Sequence, residues 1–104
     1  MTMAKRMYIV TYDVPFSASP ESRKAISDAV KASGNWWHHL KWSWLVVTDK
    51  TANDIAAQIN PHIKKVDGSL LVMEVEPSNR QGLLSEKGWA WIRTWSNRFR
   101  GLPE

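Results

Sequence analysis

Thirteen consecutive residues, Trp36-Trp37-His38-His39-Leu40-Lys41-Trp42-Ser43-Trp44-Leu45-Val46-Val47-Thr48, constrain this chain more than any other feature. The run is strand-like throughout, yet a typical strand holds only about 5–6 residues. Two strands joined by a tight turn around Leu40-Lys41-Trp42 resolve the excess length, although no Gly, Asn or Pro marks the turn. A single long, bent strand is the alternative. With unbroken alternation, Trp36, Trp42 and Trp44 share a face with His38, and Trp37 takes the other. A bulge or turn at Lys41 reshuffles that assignment.

The rest of the chain supplies elements on either side of this hairpin. Residues Met7-Tyr8-Ile9-Val10-Thr11-Tyr12-Asp13 read as a first, buried strand, and Asp13 sits where the backbone leaves it. Ser19-Pro20 reads as an N-cap with proline at the first helical position. The helix that follows places Ile26, Ala29, Val30 and Ser33 on one face and stops at Gly34. Thr51-Ala52-Asn53-Asp54 opens a second helix, with a Thr cap and an acid three residues later. Ile55, Ile59 and Ile63 recur at helical spacing, but Pro61 predicts a stop near Ile59 or a kink. Asp67-Gly68 is a turn, Ser69 to Glu76 a strand, and residues 77–82 a polar loop. Ser85 caps a last helix running to about Arg98.

The order β-α-β-β-α-β, then α, predicts an α+β domain. Its four-stranded antiparallel sheet carries two helices on one face, the ferredoxin-like arrangement. The chain of 104 residues is long enough for one domain, with a core over 7–76 and a helical extension over 83–100. No apolar run approaches 18 residues, so no membrane span is expected. The start of the chain shows no signal-peptide pattern, and there is no cysteine. These features exclude a disulfide framework, a thiolate nucleophile and a Cys-ligated zinc, and they point to a cytoplasmic protein.

Charge is uneven. The net +4 divides into +3 over residues 80–104 and +1 over 1–79. A basic end suits nucleic acid or another anionic partner, and equally suits a solvated surface. Arg93, Arg98 and Arg100 on the last helix, Lys41 in the hairpin and Arg80 in the polar loop are the candidate phosphate contacts. Trp36, Trp42 and Trp44 are the candidate stacking or interface residues, since aromatics on a sheet face either stack bases or form a dimer core. The last helix has Trp89, Ile92, Ser96 and Phe99 on one stripe and Trp91 with Trp95 on another. That is wider than one core-facing stripe requires, and it predicts packing across the sheet or on a second subunit. The adjacent His38 and His39 point to opposite faces and do not suit one metal.

Asp13 is the catalytic and metal-ligand candidate. One carboxylate makes a weak magnesium site, but an isologous dimer brings in a second. The alternative is a strand-end Asp that accepts hydrogen bonds from loop amides.

Met7 to Asp13 resembles the first strand and terminal Asp of the small CRISPR-associated adaptation proteins, the non-integrase partners in spacer acquisition, and of their VapD-type relatives, while Trp36 to Leu40 followed by Ser43 to Thr48 resembles a group of short proteins related to that family. The resemblance covers about residues 7–76 and implies a ferredoxin-like homodimer in antiviral defence. It also implies that Asp13, at the end of the first strand, holds Mg2+ in a nuclease. Beyond residue 77 the Trp-rich basic helix departs from the family's short tail.

Two functions are therefore expected. One is a dimeric nucleic-acid-binding protein with a possible magnesium-dependent endonuclease activity. The other is a non-catalytic dimer that binds a nucleotide or a protein partner.

Overall fold

The computed structural model describes residues 4–101; residues 1–3 and 102–104 lie outside the described residues. The elements run β1 (Arg6–Asp13), α1 (Pro20–Lys31), β2 (Asn35–Leu40), β3 (Ser43–Thr48), α2 (Ala52–Lys64), β4 (Ser69–Glu74) and α3 (Glu86–Phe99). The strands form one four-stranded sheet in the order β2-β3-β1-β4, and every neighbouring pair is antiparallel. The protein is a small α+β domain with an antiparallel sheet and three helices.

The thirteen-residue run is a hairpin. Leu40 pairs with Ser43, which leaves Lys41-Trp42 as a two-residue turn. The Trp42 carbonyl accepts from the Tyr12 amide at 3.3 Å and the Thr11 hydroxyl at 3.0 Å, so β1 holds the turn. Tertiary hydrogen bonds thus replace the missing turn residues. An irregularity between Trp37 and Leu40 leaves the facing intact: His38 stacks on Trp44, while Trp37 lies against His39.

Local chemistry explains where the helices begin. The Ser19 hydroxyl caps α1 through the Ser22 amide, and Pro20 sits in its first turn. Thr51 and Asp54 form a reciprocal capping box on α2, and Ser85 caps α3 through the Gly88 amide. The α2 helix runs through Pro61 to Lys64. Proline removes one backbone bond and crowds the turn before it, but Ile63 is buried beyond it and anchors the last turn. At Gly34, an added Cβ would collide with the Val47 carbonyl and the Thr48 side chain. Close packing of the α1–β2 link on β3 therefore demands glycine there.

The two sheet faces are both covered, unequally. Tyr8, Val10, Trp44 and Val46 project into a core with Ile26, Ala29 and Val30 of α1 and Ile55, Ile59 and Ile63 of α2. The other face carries Met7, Ile9, Trp37, Leu45 and Val47, cross-strand partners of one another along β1, β3 and β2. Helix α3 lies on that face. Gly88 packs on the Trp37 indole, Ile92 and Ser96 of α3 are buried, and so are Met7 and Val47 on this face of the sheet. The broad apolar surface of α3 is thus used across the sheet of its own chain. Leu71 and Met73, on the same face of edge strand β4, are about half exposed.

Candidate nucleic-acid interface

The expected stacking residues separate by burial. Trp44 is 2% exposed, sandwiched by His38 at 3.7 Å and an interplanar angle of 3°, with Trp36 edge-on at 5.4 Å. Its indole N–H donates to the Tyr12 hydroxyl at 3.2 Å. Trp44 is a core residue with no open ring face. His38 is tied down as well, with its Nδ1 3.0 Å from the Ser43 carbonyl oxygen. Trp36 and Trp42 are 42% and 44% exposed and stay at the surface.

Each of these two surface indoles carries a cation. Lys31, from the last turn of α1, lies 5.1 Å from the Trp36 ring centre, and Lys41 lies 5.1 Å from that of Trp42. Both pairs border β2, an edge strand of the sheet.

A third aromatic–cation cluster lies on α3. Trp95 is half-buried, with Trp91 at 6.4 Å on one side and Phe99 at 6.2 Å on the other. The Arg98 guanidinium is 4.5 Å from the Trp95 ring centre, and the Lys5 ammonium is 5.4 Å away. Lys5 comes from the segment before β1, and a sequence separation of ninety residues left no local signal for it. Cation–π contact orients each charged group beside an aromatic face, which is the pairing that single-stranded nucleic acid recognises.

The remaining candidate cations are scattered. Arg93 approaches Glu86 at 4.0 Å on a different flank of α3 from Trp91 and Trp95. Arg100 is exposed at the helix C-cap and helps to hold the Glu76 carboxyl below its ordinary range. The larger cause of that lowering is the Ser78 amide and hydroxyl, which donate to Glu76 at 3.0 and 2.7 Å. This small turn leads to Arg80, whose guanidinium donates to the Pro77 carbonyl at 2.8 Å. Arg80 belongs to the loop over the α3 face of the sheet and lines a cleft there with Trp37, Leu40 and Trp89.

Asp13 is exposed at the end of β1, paired through the backbone with Ser69. Its carboxylate makes no hydrogen bond or ion pair with a described residue. The structure brings Asp67 to the same end of the sheet, two residues before Ser69, with a left-handed φ of 58°. Among the described residues, no three His, Asp or Glu side chains form a group able to hold a metal ion. Magnesium takes about six oxygens and keeps several waters, so Asp13 would share such an ion with substrate phosphates or a second subunit. Among the described residues, no helix is long and apolar enough to cross a membrane.

No family model matches the chain, and no curated protein or solved structure is significantly similar to it.

Proposed function

We propose that this protein binds single-stranded nucleic acid, with bases stacking on its surface indoles and phosphates meeting the adjacent cations. The observation that carries this reading is the repeated pairing of an indole with a cation: the exposed Trp36 with Lys31, the exposed Trp42 with Lys41, and the half-buried Trp95 with Lys5 and Arg98. An indole supplies a sequence-tolerant stacking surface worth about 1–3 kcal/mol per base. A cation held beside it meets the phosphate attached to that base. The net charge of +4 favours the same partner through long-range attraction. The resemblance of residues 7–76 to the CRISPR adaptation small subunits supports a backbone-binding role, and with it a ferredoxin-like homodimer. The element order and the central position of β1 and β3 are consistent with that arrangement.

Fluorescence anisotropy with labelled oligonucleotides tests the reading. Four cations beside the three indoles predict a slope of log K against log salt of about −3 for a single strand. Trp95→Ala is expected to weaken binding about tenfold while leaving the circular dichroism spectrum unchanged. A salt-independent association, or one indifferent to all three indoles, refutes it. Cleavage is scored in the same samples. In this proposal a magnesium-dependent cut belongs to Asp13 of two subunits acting on bound phosphate, and Asp13→Asn removes it without loss of binding.

A further inference from the structure

We propose that the cleft between α3, the 77–85 loop and the sheet binds a small apolar carboxylate, with Arg80 taking the acid group. The cleft has a volume of about 340 Å³, at the small end of the range for ligand pockets. Ile9, Leu45 and Ile92 form its apolar floor, and the indoles of Trp37 and Trp89 contribute to its walls. No acidic side chain lines it, and Arg80 is its sole charged group. None of Trp36, Trp42 and Trp95 lines it, so this proposal stands apart from the nucleic-acid reading.

One side chain points to an anionic guest, and another reports on it. The reporter is Trp37, which is 6% exposed and lines the cleft, while its buried indole N–H has no acceptor among the described residues. That N–H is sealed from the open space of the cleft, so its signal responds to the packing of the ring against a guest and not to a bond with it. The side chain that meets the guest is Arg80. Its bond to the Pro77 carbonyl occupies one nitrogen and fixes the guanidinium at the rim, and no described carboxylate pairs with it. The Glu76–Ser78 turn holds the loop that delivers it. The rest of the guanidinium is available for a carboxylate oxygen.

The loop is shaped for this position. Gly82 has a φ of 155°, a conformation that disfavours any side chain, and a Cβ there would lie 3.8 Å from the Trp89 ring. That conformation carries Leu83, 95% exposed, past the mouth of the cleft. Leu83 and the half-exposed Leu40 are the apolar side chains in the lining most open to solvent. Closing over an apolar guest would remove both from water.

The probe is 1-naphthoate, compared with its carboxamide, on the full chain. Binding is read from tryptophan fluorescence and from the side-chain indole N–H signals in a nitrogen–proton correlation spectrum. The acid is expected to bind at least about tenfold tighter than the amide, the usual advantage of a charge-assisted bond. Its binding shifts the Trp37 indole N–H signal. Arg80→Gln, at an exposed loop position, is expected to erase the preference for the acid and leave the amide's affinity unchanged. Leu84→Trp, which fills the cleft from the loop, is expected to abolish binding of both. Absence of binding at millimolar concentration overturns the proposal. So does equal binding of acid and amide, or binding that survives Leu84→Trp.

Discussion

Gly68 shows how one residue ties the turn before β4 to the end of β1. A Cβ there would lie 2.7 Å from the Asp13 carbonyl oxygen, and the Ile63 and Val14 side chains are 3.3 Å away. The Asp67-Gly68 pair reads as a turn in sequence, but the need for glycine comes from this close approach. Gly68→Ala is expected to destabilise the domain by about 1–3 kcal/mol in urea unfolding, because backbone must move. Glu76 is a second residue with a definite prediction. The Ser78 donors lower its pKa from the ordinary value of 4.5. A carboxyl whose folded pKa is lowered adds stability above the ordinary range, and the contribution fades as pH falls through the folded value. Ser78→Ala removes the hydroxyl donor and is expected to move the Glu76 titration, followed by NMR, part of the way toward 4.5, with the amide of residue 78 and Arg100 still holding it lower. Unchanged titration would show that the Ser78 hydroxyl bond does not form in solution.

At the scale of elements, caps and periodicity were legible and interruptions were less so. The three helix starts follow from Ser19, Thr51 and Ser85, whose side chains accept the orphan amides of the first turn. The length of the run pointed to a hairpin with a turn around Leu40-Lys41-Trp42, but the exact break, and the choice against one bent strand, came from the pairing of Leu40 with Ser43. Pro61 was ambiguous because its local penalty competes with a tertiary gain, the burial of Ile63 at 3% exposure. The tertiary gain won. Pro61→Ala is therefore expected to restore a helical bond and raise stability by about 1–2 kcal/mol, net of the greater entropy of the unfolded chain. A lower melting temperature for this variant would mean that the ring itself packs favourably.

Across the whole molecule, helices cover both faces of one sheet, and α3 makes the second layer. Its anchor is narrow: Gly88 on Trp37, then Ile92 and Ser96. Ile92→Ala is expected to cost about 3 kcal/mol and to loosen α3, which also lines the cleft. Hydrogen exchange would show faster exchange in α3 than in α1 and α2. Exchange that accelerates uniformly would mean instead that α3 and the main core unfold together.

The sequence by itself determined the elements, their order and the alternation that separates Trp36 and Trp44 from Trp37. These are local properties, set by caps, spacing and side-chain shape within a few residues. Only the tertiary structure decided which indoles keep an open face. Trp36 and Trp44 have the same parity, yet one lies at an edge strand and the other beneath the helices. The same applies to Lys5 beside Trp95 and to Arg80 at the mouth of the cleft. Their neighbours come from distant parts of the chain, and no local spacing encodes a contact made only when α3 crosses the sheet.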